Sequence, residues 1–159
     1  MKVEELQKAT RSNAETRDAY PQLLLDNQLC FPLYAASRAV TRRYTPLLRK
    51  LNLTYTQYIT MLALWEQDGV TVNELGQRLY LDSGTMTPLL KKLESQGLVA
   101  RARDAEDERR VIVRLTDTGR ALREQASEIP MAFVDCLNLG QGDTRTLKRL
   151  LEKVLADLG

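Results

Sequence analysis

Histidine is absent from the 159-residue chain. With it go the imidazole acid or base, the Ser–His and Cys–His nucleophiles and any His-ligated metal. Cysteine occurs only twice, at Cys30 and Cys136, too few to hold a structural zinc ion. No catalytic constellation, metal site or cofactor is therefore expected. Apolar runs fall well short of the roughly 18 residues a membrane span needs, and the opening MKVEELQKATRSNAETRD lacks the apolar core of a signal peptide. These absences predict a cytoplasmic protein with no membrane partner, in which thiol chemistry is transient or redox-sensing rather than structural. An excess of one charge is also missing: 23 basic against 21 acidic residues leave a net +2, so a nucleic-acid partner would have to meet locally clustered basic groups.

Glycine and proline are few and scattered, at 8 and 5 residues, while Leu, Ala, Glu, Lys, Arg and Gln abound. The expectation is one mainly helical domain, large enough to bury a core unaided. Residues 1–20 are polar with little periodicity and read as a loosely held arm or short helix. From Cys30 the pattern tightens. Leu33, Ala36, Val40, Tyr44, Leu47 and Leu51 recur at helical steps just after Cys30, with Pro32 in the first turn and Pro46 near a kinked end. A second helix is predicted from Thr54, with Gln57 as its capping-box partner, Gly69 as its close and Tyr55, Tyr58, Ile59, Leu62 and Trp65 as its apolar face. A third follows another capping box, Thr71 and Glu74. A fourth spans about 83–96 with Met86, Leu89, Leu90 and Leu93 inward; Pro88 suggests that its regular part starts near Thr85.

After Gly97 the period changes to two. LVARAR and RVIVRL alternate, and the charged DAEDER between them reads as the tip of a hairpin. Thr116 caps a further helix, Pro130 interrupts it, MAFVDCLNL continues a helical pattern, and TRTLKRLLEKVLADL is a last amphipathic helix. The predicted division is an arm at 1–20, dimerisation and sensing helices at 21–53, a DNA-binding region at 54–116 and C-terminal dimerisation helices at 117–159.

Two short helices, the second leading directly into a two-stranded hairpin, is the order of a winged helix-turn-helix. A helix can enter the major groove of DNA while the hairpin tip reaches the neighbouring minor groove. With the leucines of 83–96 inward, Gly84, Pro88, Lys91 and Ser95 turn outward, flanked by Thr87 and Lys92. Ser83, Gly84 and Thr85 offer hydroxyls and N–H groups to phosphates and base edges; Lys91 and Lys92 suit phosphates. Arg101 lies on the first wing strand. Arg109 suits a narrow minor groove, and Asp107 can hold it by a charge-assisted bond. The acidic wing residues Asp104, Glu106, Asp107 and Glu108 argue against a simple basic patch, and short helices with a solvated lysine pair also occur in proteins that never meet DNA.

The run DSGTMTPLLKKLESQGLVARARDAEDERRVIVRLTDTG resembles the DNA-binding core of the MarR family, in which D-x-R in the wing is followed by an apolar strand and L-T-x-x-G. Here these are Asp107, Arg109 and Leu115-Thr116 to Gly119. The resemblance implies a winged helix-turn-helix protein, mainly α with a small β-hairpin wing, whose terminal helices form a homodimer on a pseudo-palindromic double-stranded operator. LDNQLCFPLYAASR, with Tyr44 in RRYTPLL and Tyr55 in NLTYTQY, is similar to the OhrR subgroup. There the N-terminal cysteine reacts with organic hydroperoxides and tyrosines bond to it across the dimer interface. The resemblance assigns these roles to Cys30, Tyr44 and Tyr55, with Tyr34 a third candidate one turn beyond Cys30.

The residue types fit that chemistry. Peroxide reacts with the thiolate, which a helix N-terminus and phenolic donors favour. Leu29, Phe31 and Leu33 suit an alkyl peroxide. Oxidation gives a sulfenic acid that condenses with a thiol; the two-cysteine OhrR pattern implies Cys136 as the resolving thiol, in an intersubunit disulfide. The implied function is a repressor that releases its operator on oxidation. Two alternatives stay open: a MarR-type regulator answering a small phenolic ligand, and a thiol peroxidase.

Overall fold

The computed structural model describes residues 20–134, 136–137 and 139–158. The predicted arm at 1–20 lies outside them except for Tyr20. The chain divides into two compact units, 1–43 and 44–159. In the first, two 3-10 turns, Pro21–Leu23 and Leu25–Asn27, precede helix α1, Cys30–Leu48, whose last residues, from Tyr44, belong to the second. Asn27 Nδ2 ties the turns together by donating to the Pro21 carbonyl at 2.8 Å. Cys30 is the first residue of α1 rather than the residue before it, and Pro32 falls in the first turn as expected. Pro46 stands inside the helix, which continues to Leu48 and then tightens into a 3-10 turn, Arg49–Leu51.

The second unit carries α2 (Tyr55–Glu66), β1 (Val70–Thr71), α3 (Val72–Leu79), α4 (Ser83–Ser95), β2 (Val99–Arg103), β3 (Val111–Leu115), α5 (Asp117–Ala126), α6 (Ile129–Val134) and α7 (Gln141–Leu158). Both predicted capping boxes form. The Thr54 and Thr71 hydroxyls accept from the Gln57 and Glu74 amides, whose side chains accept the cap N–H in return.

The core is built around α2, which is buried on two sides. Tyr58, Met61 and Leu64 are almost inaccessible, and Gln57 and Thr60 are also buried, whereas Leu62 of the predicted apolar face is exposed. Thr60 is tolerated there because its hydroxyl donates to the Thr56 carbonyl at 2.8 Å. Gly69 does not end this helix: α2 stops at Glu66, and Gly69, at φ 74°, turns the chain into β1. A Cβ at Gly69 would come within 2.8 Å of the Arg114 guanidinium. The sheet has three strands in the order β1-β3-β2, all antiparallel, where a two-stranded hairpin was expected. Two residues of β1 are too short to show alternation in sequence. The core face of the wing is that of Val99 and Arg101, opposite Leu115 and Val113.

Helix α4 begins at Ser83 behind an Asp82 N-cap, so Pro88 sits in its second turn rather than its first. The Gly84 carbonyl consequently receives no amide from position 88. The helical pattern of 131–139 also stops early. α6 ends at Val134 and Cys136 lies in the turn after it. The break between α5 and α6 falls at Ser127 and Glu128, and Pro130 belongs to the first turn of α6. α7 has no buried residue; Leu147, Leu150, Leu151, Leu155 and Leu158 are all exposed.

Candidate nucleic-acid interface and thiol site

Helix α4 owes its orientation to Met86, Leu89, Leu90 and Leu93, all buried. That leaves Ser83, Gly84, Thr85, Thr87, Pro88, Lys91 and Lys92 together on the exposed side. Asp82 fixes the start of the helix: its carboxylate accepts from the Thr85 amide at 2.9 Å and the Thr85 hydroxyl at 3.0 Å, and these bonds hold it below the usual carboxylate range. Thr87 donates its hydroxyl to the Ser83 carbonyl at 2.9 Å and remains exposed.

The wing is fastened to α4 by a pair that sequence reasoning missed. Glu94 accepts from Arg101 Nε at 3.1 Å and Nη2 at 2.6 Å, and from the Arg101 amide at 3.2 Å. These donors hold the Glu94 carboxyl below its ordinary range. Arg101 is thus engaged with its own chain. At the tip, Arg109 donates through Nε and Nη2 to the two Asp107 oxygens at 3.0 and 3.2 Å, as the D-x-R spacing predicted. The Arg109 side chain is 90% exposed, a guanidinium held at its base and presented to solvent. Between α4, the start of α3 and the wing lies a cleft of about 380 Å³ whose lining includes Asn73, Thr87, Arg101, Arg109 and Arg110.

The thiol-related residues fall into two groups. Within residues 1–43, Cys30 is exposed at the start of α1, and Tyr34, one turn on, accepts a bond from Arg38 Nη1 at 3.1 Å. Within residues 44–159, Tyr44 and Tyr55 meet with ring centroids 5.0 Å apart. Tyr58, expected only on the apolar face of its helix, and Phe133, to which sequence reasoning gave no role, complete the cluster: Tyr58 lies 5.8 Å from Tyr44, and Phe133 stacks on Tyr44 at 4.4 Å. Burial, with the neighbouring Tyr58 and Tyr55 adding to it, pushes the Tyr44 phenol up to about 12. It therefore remains a proton donor across the physiological range. The Tyr58 hydroxyl is buried without a hydrogen-bond partner among the described residues. Cys136 is exposed, and its thiol donates to the Ala132 carbonyl at 3.2 Å. Neither cysteine is in a disulfide. Among the described residues no group of His, Cys, Asp or Glu is placed to hold a metal ion, and no helix is long and apolar enough to cross a membrane.

Comparison with known proteins places this arrangement. The transcriptional regulator SarA/Rot family matches residues 42–126. An organic hydroperoxide resistance transcriptional regulator of Bacillus subtilis (strain 168) is 48% identical over 139 residues, covering 87% of this chain and 95% of the relative. The chain belongs to the MarR family of winged-helix transcriptional regulators, in its OhrR subgroup. It is a transcription regulator and not an enzyme. Among solved MarR-family structures, reduced AbfR bound to DNA, a Staphylococcus epidermidis protein, superposes with a TM-score of 0.74 at 37% identity over 90% of this chain and 99% of that one. Disulfide-formed AbfR matches with a TM-score of 0.62 at 36% identity over 90% and 98%.

The MarR-like L-T-x-x-G run has a physical basis in this fold. Leu115 is buried, Thr116 caps α5 through the Gly119 amide at 3.0 Å, and the Thr116 amide donates to the Leu98 carbonyl at 3.1 Å. Gly119 then passes so close to Leu98 that a Cβ would stand 2.0 Å from its carbonyl oxygen. Trp65 Nε1 closes the junction by donating to the Gly119 carbonyl at 2.8 Å.

Proposed function

We propose that this protein is a cytoplasmic homodimeric repressor that binds a pseudo-palindromic operator while Cys30 is reduced and releases it when an organic hydroperoxide oxidises that thiol. The observation carrying this reading is an exposed cysteine on the first residue of α1, in a chain whose α4 and wing present hydroxyls, lysines and Arg109 on exposed surface. The existence of AbfR both reduced on DNA and in a disulfide form supports a redox switch on this fold. The exposed leucines of α7 and the exposed Leu23, Leu25, Leu29 and Phe31 supply the apolar surface that a second subunit would cover.

In the proposed chemistry the Cys30 thiolate attacks the distal peroxide oxygen and the O–O bond breaks. The alkoxide leaves and takes a proton to become an alcohol, while sulfur is oxidised to the sulfenic acid. The thiol of Cys136 from the second subunit then displaces hydroxide, which leaves as water, and an intersubunit disulfide forms. Tyr44, Tyr55 and Tyr34 serve as donors to the thiolate; the high proton affinity of Tyr44 suits it to donate without ionising. Ser83, Gly84, Thr85, Thr87, Pro88, Lys91 and Lys92 face the major groove, Arg109 braced by Asp107 enters the minor groove, and Arg101 sets the wing against α4. Disulfide formation displaces Cys136 and with it α6, drawing Phe133 off Tyr44. The spacing of the two recognition helices then no longer fits both half-sites.

The test uses a duplex selected from random DNA for binding to reduced protein. Wild-type protein should lose affinity at least a hundredfold after one equivalent of organic hydroperoxide, and Cys30→Ser should keep it. Release of Cys30→Ser by peroxide defeats the thiol reading. Release by a phenolic ligand with no change at Cys30 supports the ligand-controlled alternative instead.

A further inference from the structure

The left-handed backbone at Tyr80 closes α3, but no hydrogen bond of its side chain to the described residues rewards a tyrosine there over glycine or asparagine. At the end of α3 the Leu81 amide donates to the Gly76 carbonyl at 2.9 Å and the Tyr80 amide to Gln77 at 3.2 Å. Closing a helix in this way needs a left-handed residue, and Tyr80 supplies it with φ 54°. Glycine or asparagine usually stands there, because a Cβ is penalised in this region and a bulky residue is a clear outlier. Asn52 is the other non-glycine residue with positive φ among the described residues, and it follows the rule. Tyr80 is 65% exposed, and its hydroxyl has no hydrogen-bond partner among the described residues. Glycine or asparagine would close the helix with less strain, so a tyrosine kept there points to a contact of its side chain outside the chain.

The position of Tyr80 identifies that contact. With Asn73, Gln77, Asp82 and Ser83 it lines a cavity of about 450 Å³ at the turn into α4. Asn73 also lines the cleft that holds Thr87 and Arg109, so the two concavities adjoin on one face. Asp82 is the acidic group there, and its oxygens are occupied by the Thr85 amide and hydroxyl. We propose that Tyr80 is a DNA-backbone contact, its phenol O–H donating to a phosphate oxygen that flanks the half-site read by α4. This rests on the DNA-binding reading above and extends the interface past the recognition helix and the wing. A neutral donor of this kind adds affinity for any sequence and releases no counterion.

Two variants of the full-length reduced protein test this, measured by fluorescence anisotropy on the selected duplex and on unrelated DNA at several salt concentrations. Tyr80→Phe should weaken binding to both duplexes by the same factor, about tenfold since the dimer presents the hydroxyl twice, with an unchanged slope of log K against log salt. Tyr80→Asn should weaken binding at least as much while raising Tm, because asparagine tolerates the left-handed backbone. Lys91→Ala serves as the contrast, lowering the salt slope by about one. The inference is overturned if Tyr80→Phe binds within twofold of wild type, or if Tyr80→Asn lowers Tm. A wild-type protein that binds neither duplex would instead remove the DNA-binding reading itself.

Discussion

Gly119→Ala tests the junction between the DNA-binding core and the C-terminal helices, because two physical effects predict opposite signs. Alanine is the better helix former by about 1 kcal/mol, and by less in a first turn, so propensity alone predicts a slightly more stable protein. The packing predicts the reverse. The new Cβ would stand 2.0 Å from the Leu98 carbonyl oxygen, a full ångström inside the 3.0 Å that such contacts respect, and 3.3 Å from Leu115 Cδ2. The obstacle is backbone, so no side-chain rotation relieves it. To make room α5 must back away from the sheet, stretching the Thr116 amide bond to Leu98 and the Trp65 bond to the Gly119 carbonyl, now 3.1 and 2.8 Å. Overpacking costs about 1–3 kcal/mol, and each weakened hydrogen bond about 1 kcal/mol more. A net loss of about 3 kcal/mol lowers Tm by roughly 6–12 °C in a protein of this size. Thermal unfolding at fixed protein concentration measures it. A Tm equal to or above that of wild type would show that the junction yields freely and would refute the packing argument.

Arg109→Ala should weaken operator binding about tenfold or more without altering Tm beyond about 1 °C, since the side chain is 90% exposed and bonded only to Asp107 among the described residues; anisotropy and calorimetry check the two halves. Cys136→Ser should still lose one thiol per subunit to hydroperoxide but form no dimer on a non-reducing gel, and its sulfenic acid should be trapped by a dimedone-type reagent. The Tyr44 phenol, raised from 10.0 to about 12, gives a pH dependence of definite sign. The unfolded chain loses that proton first, so the stability linked to it is complete below pH 10 and declines as pH rises towards 12. Denaturant titrations between pH 8 and 11 should show the decline, and Tyr44→Phe should reduce it.

The features legible in the sequence are those set within one turn or one strand. The capping boxes at Thr54 and Thr71 need only a hydroxyl and an amide acceptor three residues on, and both form. The inward face of α4 follows from its leucine spacing, and the Asp107 to Arg109 bracket from a two-residue reach. What escaped depends on distant partners. β1 exists because Val70 and Thr71 pair with Val113 and Ile112. The Phe133 stack on Tyr44 joins residues 89 positions apart, and nothing in MAFVDCLNL distinguishes that ring from ordinary core. Of the predicted face of α2, Tyr58 is buried and Tyr55, Ile59 and Trp65 pack against the core, while Leu62 is exposed; Met61 and Leu64 escaped because a helix buried on two sides has no single stripe for periodicity to find. Pro88 was placed a turn too early since α4 is regular from Ser83, behind its Asp82 cap, rather than from near Thr85, and a proline in the second turn is accepted at the cost of one backbone bond.

The central claim is that the oxidation state of Cys30 controls DNA occupancy, and it is tested most directly by measuring both quantities in one sample. Reduced dimer on labelled operator is titrated with organic hydroperoxide; anisotropy gives the fraction bound, and mass spectrometry of the alkylated protein gives the fraction of Cys30 oxidised. Release should follow Cys30 oxidation throughout the titration, be reversed by a dithiol reductant and be abolished in Cys30→Ser. Oxidation of Cys30 with the operator still fully bound, or release while Cys30 remains reduced, would contradict that claim.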